Sequence, residues 1–215
     1  MKVDQMKNML KGLFIKDLKF MKLQIPILII SIVCAVFIGG TTFVIPYMTI
    51  FSAIIGLSSI NYDEFDNGYA YLLSLPITRE KYIFEKYLFS LSIGLAGWIL
   101  SILIVLLRGE ILSENDMLQL IDTGCIYITI LFVIISVMIP VEIKFGKENK
   151  IISIILASVI GALIGFVVFA GGEYPGGILP DMGIVATIAI RVFSICIMFA
   201  ISYRISVSII KKKDF

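Results

Sequence analysis

The sequence contains no histidine and few charged residues. None of its 215 residues is His, and only 16% are Asp, Glu, Lys or Arg, where an ordinary soluble domain has about 25%. The absence of His removes the side chain that most often serves as a general base and as a metal ligand. No metal site and no catalytic residue are therefore predicted.

Cysteine is also scarce. Cys34, Cys125 and Cys196 lie far apart in the sequence, and each lies within an apolar run. This spacing fits neither a metal-binding CxxC motif nor the disulfide framework of a secreted protein. The three thiols are expected to pack as small apolar side chains.

What the sequence has in excess is apolar side chains, which make up 59% of its residues and occur in long charge-free runs. Such runs are typical of membrane-spanning helices, whereas an outer-membrane barrel needs short alternating segments. The run from Leu23 to Tyr62 would be roughly 60 Å long as one helix, about twice the thickness of the hydrocarbon layer. Gly39-Gly40 therefore predicts a turn between two spans.

These patterns predict an all-α integral membrane protein with a single transmembrane domain over residues 1–215. Six transmembrane helices are expected, with approximate ranges 23–39, 42–60, 87–107, 122–141, 151–170 and 183–205. With six spans, nearly all Lys and Arg residues outside the spans lie on one side of the bilayer. Because cytoplasmic segments retain positive charge, both termini are predicted to be cytoplasmic.

The segment from Lys7 to Met21 interleaves lysines with apolar residues at helical spacing. It predicts an N-terminal amphipathic helix in the membrane interface. Two roles remain open for this helix. It could orient the first span, or it could present a surface to a cytoplasmic partner.

The longest cytoplasmic connection lies between spans 2 and 3 and combines carboxylates with aromatic and aliphatic residues. Pro76 predicts the end of a short helix, and Thr78 predicts the start of a second helix that continues into span 3. Such a surface suits docking onto another protein, although a helix that only covers the ends of the spans would have the same composition. The candidate docking residues are Asp63, Glu64, Phe65, Asp66, Tyr69, Tyr71, Leu72, Leu73 and Leu75.

Span 5 carries small residues at intervals of four, namely Ser153, Ala157, Gly161 and Gly165. Small residues at this spacing let two membrane helices approach closely. The predicted contact could lie within one subunit or between two subunits.

Arg191 is the one charged residue predicted to lie well inside a span. An ionisable side chain at this depth needs a polar or watery environment, which makes Arg191 a candidate functional residue. Asp122 and Glu173 are possible partners for its charge. Alternatively, its long side chain could reach the headgroups.

Several short motifs resemble those of one protein family. They are Lys11-Gly12-Leu13-Phe14-Ile15-Lys16-Asp17-Leu18, then Ser74-Leu75-Pro76-Ile77-Thr78-Arg79, and Lys86-Tyr87 at the start of span 3. With two spans before the cytoplasmic connection and four after it, the sequence resembles ABC-2 type exporter permeases. It is similar, in particular, to the six-span permease subunit of the phenol-soluble modulin exporter.

The resemblance implies a homodimer of permeases in the bacterial cytoplasmic membrane, surrounded by membrane lipids, with each copy docked to a separate P-loop ATPase subunit. It places a coupling helix at about Asp63 to Leu75, which would make the docking residues the ATPase contact. The sequence has no GxxxxGK[ST] phosphate-binding motif. ATP and magnesium are therefore expected on the partner, and neither a cofactor nor a nucleic-acid partner is expected for this chain.

The expected function is export of an amphipathic peptide or lipophilic substrate, driven by ATP that the partner hydrolyses. A non-transporting membrane scaffold or immunity protein is the alternative. An intramembrane enzyme is a weaker third possibility, because its usual chemistry requires histidines within the spans.

Overall fold

A computed structural model shows a chain built from helices. It describes residues 2–38, 40–64, 68, 72, 77–109, 114–146, 151, 155, 158–159, 161–162 and 183–212, and none of these forms a β-strand. The main helices, numbered in chain order, are α1 (Lys2–Met21), α2 (Ile25–Ile38), α3 (Thr41–Asp63), α4 (Arg79–Leu107), α5 (Glu114–Phe145) and α6 (Gly183–Lys212). A 3-10 turn, Lys22–Gln24, joins α1 to α2.

Within the described residues, five helical stretches are long and apolar enough to cross a membrane. They are Leu10–Phe37, Phe43–Asp63, Arg79–Leu107, Asp116–Phe145 and Val192–Lys212. The chain is therefore a multi-pass membrane protein. The predicted fifth span, 151–170, lies mostly outside the described residues, so the six-span topology stays a prediction.

The turn between α2 and α3 lies where the sequence predicts it. α2 ends at Ile38 and α3 begins at Thr41, on either side of Gly39-Gly40. Gly40 has an extended backbone, and its carbonyl oxygen accepts hydrogen bonds from the amides of Phe43 and Val44. These bonds satisfy carbonyl and amide groups at the new helix start.

Both ends of α4 are fixed by local chemistry. Thr78 is the N-cap residue, as predicted, and its side chain accepts a hydrogen bond from the Lys81 amide at 3.4 Å. At the other end, Gly109 has a positive φ of 65° directly after Arg108. A glycine in this left-handed conformation is a common helix stop, because it has no Cβ to strain.

The chain divides into two compact units. One comprises the described residues up to Leu131, and the other comprises the described residues from Phe132 onward. A core cluster of the first unit consists of Ala35, Val44, Ile45, Met48, Ile104, Val105 and Leu120. A core cluster of the second consists of Val133, Val137 and Val141, with Met138, Phe145 and Met198 packed against it.

Within the first unit, α3 and α4 approach each other most closely along a line of small residues, which we call the glycine seam (Ser52, Gly56, Ser90 and Gly97). A Cβ added to Gly97 would collide with the Ser52 side chain, and one added to Gly56 would lie 3.0 Å from the Ser90 Cα. The two backbones can meet here because neither position carries a bulky side chain.

α1 packs against the other helices of the first unit along one face. Leu13 and Asp17 are buried, and the Phe14 ring contacts the Phe89 ring of α4 edge-to-face at 5.3 Å between centroids. The opposite face, which includes Ile15 and Leu18, is exposed. A helix is thus present over Lys7 to Met21, while its position in the membrane interface stays a prediction.

Candidate functional site

A ring of four charged side chains lies where α1, α3 and α4 meet. Lys16 and Asp17 come from α1, Asp63 is the last residue of α3, and Lys86 lies in the early part of α4. Each carboxylate is bound by both ammonium groups, so cations and anions alternate around the ring. We call this group the ionic cluster. Its four formal charges sum to zero.

Lys86 is the central cation of the cluster. Its side chain is 0% exposed, and its Nζ lies 2.5 Å from Asp17 Oδ2 and 2.6 Å from Asp63 Oδ2. It also donates to the Ser59 hydroxyl oxygen at 3.2 Å and lies 3.4 Å from the Ser59 carbonyl oxygen. A fully buried ammonium is tolerated only with this kind of charge pairing and hydrogen bonding.

The second cation, Lys16, closes the ring from the solvent side. Its Nζ lies 3.2 Å from Asp17 Oδ1 and donates a hydrogen bond to Asp63 Oδ1. Its side chain is 31% exposed. Tyr82 adds a neutral donor, since its hydroxyl donates to Asp63 Oδ2 at 3.1 Å. Asp63 therefore receives contacts from α1 and from two positions of α4.

Glu85 places a third carboxyl group beside the cluster, at the limit of ion-pair distance from Lys86. Its side chain is 1% exposed, and the nearer oxygen lies 4.0 Å from Lys86 Nζ. Among the residues that the structure describes, neither oxygen of Glu85 has a hydrogen-bond donor. A buried carboxyl group without a hydrogen-bond donor is unfavourable, whereas every member of the ring is paired.

The cluster ties three helices together by charge. Asp17 links α1 to α4, Lys16 links α1 to α3, and Lys86 also links α4 to α3. Removing one member of a buried ion pair typically costs about 3–5 kcal/mol, because the remaining charge loses its partner. The ends of the connection between α3 and α4 are therefore anchored to the N-terminal helix.

Three of the nine predicted docking residues lie in the part of the chain that the structure describes. Asp63 is buried in the ionic cluster, Glu64 is half-buried, and Leu72 is 8% exposed. The remaining residues of this set, Phe65, Asp66, Tyr69, Tyr71, Leu73 and Leu75, lie outside the described residues. The coupling role of the whole set stays a prediction, and Asp63 would act through its cluster partners, since its carboxylate faces inward.

The other candidate residues lie largely outside the described part of the chain. Arg191 belongs to α6, but its side chain is among those that the structure leaves undescribed. Of the predicted small-residue ridge, Ser153, Ala157 and Gly165 are also undescribed. At Gly161, an added Cβ would meet none of the described atoms within 4 Å. In the described ranges, no group of three or more Cys, Asp or Glu could hold a metal ion.

The four residues of the ionic cluster all occur in motifs or candidate sets identified from the sequence, but the sequence does not show which of them form ion pairs. Lys16-Asp17 and Lys86-Tyr87 occur among the family motifs, and Asp63 belongs to the predicted docking set. The ion pairs join positions 47 and 69 residues apart. The available signal is the position of Lys86, which lies within a helix and is followed at once by a long apolar run.

A comparison with protein families gives a match that covers most of the chain. A family profile described as ABC-2 family transporter protein matches residues 12–211. The chain belongs to the ABC-2 transporter family. It is therefore the membrane subunit of an ABC transporter, and the family implies a complex with an ATPase partner. All four members of the ionic cluster lie within the matched region of this permease.

Two further comparisons gave no relatives. A search of curated proteins found no match, and a search of solved structures found none either. The family profile confirms the resemblance to ABC-2 permeases at the level of the family. The finer similarity to the phenol-soluble modulin exporter stays a prediction.

Proposed function

We propose that this permease exports an amphipathic peptide or lipophilic substrate, using ATP hydrolysed by a separate P-loop ATPase subunit, and that it works as a homodimer. The observation that carries the proposal is the family match over residues 12–211. The absence of a GxxxxGK[ST] motif from the sequence supports placing ATP on another chain. The two termini and the α3–α4 connection are assigned to the cytoplasmic side by their lysines and arginines.

In this proposal, the ionic cluster makes α1, α3 and α4 one moving body. The ATPase acts on the connection between Asp63 and Arg79, both ends of which lie in or close to the cluster. Because Asp63 and Lys86 are also bound to α1, a displacement of the connection moves α1 with it. Packed, charge-paired elements transmit such displacements by switching between discrete arrangements.

The partner assignment is tested by purification from native membranes. The tagged permease is solubilised in mild detergent, and the co-purifying chains are identified and quantified by mass spectrometry. A P-loop ATPase at one-to-one stoichiometry is the expected result. Recovery of the permease without any ATPase under several gentle conditions would contradict the proposal and favour a scaffold or immunity role.

The docking prediction has its own test in the same preparation. Glu64→Ala combined with Asp66→Ala removes two acidic groups of the predicted contact and leaves the four members of the ionic cluster intact. Weaker recovery of the ATPase is expected if these carboxylates meet a basic surface. Glu114→Ala, which removes an exposed acidic group outside the predicted contact, serves as the matched control and should leave recovery unchanged.

A further inference from the structure

Within residues 10–24, whose side chains the structure describes, the outer face of α1 and of the turn after it is cationic and carries no exposed acid. Lys11, Lys19 and Lys22 are all exposed. Within residues 10–24, all of which the structure describes, Asp17 is the only acidic residue. It is 1% exposed and is paired with Lys86 and Lys16 inside the unit. Because Asp17 is paired inside the ionic cluster, the exposed charges of this face within residues 10–24 are those of the three lysines.

The same face is also apolar between its lysines. Ile15 and Leu18 are each 42% exposed, and Leu23 is 70% exposed. Interleaved lysines and large apolar side chains are typical of helices that lie at the boundary between headgroups and acyl chains. The lysine stems can cover apolar surface while their ammonium groups reach the phosphates.

The three lysines precede the charge-free part of the first long apolar stretch. The stretch Leu10–Phe37 has 28 residues, which is about 42 Å of helix and is close to the thickness of a bilayer with its headgroup regions. Its charge-free part begins at Leu23, so the lysines precede the hydrocarbon layer. Tyr62, half exposed and stacked on Phe20 at 4.2 Å between ring centroids, lies beside them. Tyr is enriched at this depth.

We propose that the outer face of α1 and of the turn that follows it, formed by Lys11, Ile15, Leu18, Lys19 and Lys22, binds anionic phospholipid headgroups. Three exposed ammonium groups attract a lipid of net negative charge more than a zwitterionic one, because the one carboxylate within residues 10–24, that of Asp17, is buried and already paired. The proposal requires a membrane protein but makes no use of transport or of the ATPase. Either can therefore fail without the other.

The test is lipid selectivity in bilayer nanodiscs. The full chain is reconstituted in phosphatidylcholine containing a minority of phosphatidylglycerol, and the lipids that stay bound after release are counted by native mass spectrometry. Phosphatidylglycerol is expected to be enriched over its share of the bilayer. The triple variant K11Q/K19Q/K22Q should lower this enrichment by about threefold or more. The triple variant K11R/K19R/K22R keeps the charge and should retain the enrichment.

The variants also separate lipid binding from misfolding and from protein docking. The three lysines are exposed, so both triple variants should keep the thermal midpoint of the parent. Enrichment that is absent in the parent, or that is unchanged in the Gln triple, would overturn the proposal. If the Gln triple instead lost a co-purifying protein while its lipid content stayed the same, the face would belong to a protein partner, which also overturns the proposal.

Discussion

The contact between α3 and α4 has a different physical basis at two places along its length. Near Asp63 and Lys86 it depends on charge, and at Gly56 and Gly97 it depends on the absence of side-chain volume. A charge contact can exchange partners around the ring without leaving the cluster. A close-packed seam has one geometry, since an added methyl group has no space. We conclude that the glycine seam holds α3 against α4, while the ionic cluster makes α1 move with them.

The largest effect is expected from Lys86→Met. This change leaves Asp17 and Asp63 buried with only Lys16 and Tyr82 to compensate, and it should cost about 3–5 kcal/mol of stability. Thermal inactivation in detergent, followed by size-exclusion chromatography, measures the loss. Lys19→Met, on the exposed face of α1, is the matched control. Equal midpoints for the two variants would show that the charge contact does not hold the helices.

A smaller loss is expected from Gly97→Ala at the seam. The new Cβ would collide with Ser52, and overpacking of this kind costs about 1–3 kcal/mol. Gly12→Ala is the matched control, because a Cβ at Gly12 would meet none of the described atoms within 4 Å. The control should be neutral or slightly stabilising in the same melting assay. Equal melting midpoints for Gly97→Ala and Gly12→Ala would show that the seam is not close-packed.

Lys16→Gln should weaken the cluster by only about 1 kcal/mol, the upper range for a solvent-accessible ion pair. The Lys16 side chain is 31% exposed, and Asp63 keeps Lys86 and Tyr82 as partners. A melting midpoint between those of the parent and of Lys86→Met is the expected result. A loss as large as that of Lys86→Met would mean that the solvent-side cation, and not the buried one, dominates the cluster.

The smallest effect is expected from Glu85→Gln. The carboxyl group has no hydrogen-bond donor among the described residues, so replacing it with an amide of the same shape gives up no such bond. The melting midpoint should stay the same or rise. A clear fall would show that Glu85 contributes to the cluster through its 4.0 Å approach to Lys86.

Much of the helical framework follows from the sequence, because long charge-free runs and local stop signals are visible in it. Gly39-Gly40 and Thr78 predict helix ends that the structure places there. The ionic cluster could not be predicted, because its pairs depend on how distant helices pack. From the sequence, Lys86 is expected to be a charged residue flanking span 3, yet its side chain is fully buried.

The position of the tight helix contact shows the same limit. Small residues at intervals of four predict a seam at 153–165, a segment that is largely outside the described residues. The structure places a seam between Ser52 and Gly97, where the small residues of each helix are less regularly spaced. Spacing within one helix indicates that a close contact is possible, but the partner helix decides where it forms.

The central claim, that the ionic cluster makes α1 and α4 one body, is tested most directly by a distance measurement. Spin labels at Ile15 and Phe84, both exposed, are placed in a variant whose three cysteines are replaced by serine. The distance between them is then compared in the transporter complex with and without bound nucleotide. We predict an unchanged distance in this parent, and a nucleotide-dependent one in the double variant D17N/K86M, which removes one cation and one anion and keeps the pair of Lys16 with Asp63. A nucleotide-dependent distance in the parent itself would contradict the account.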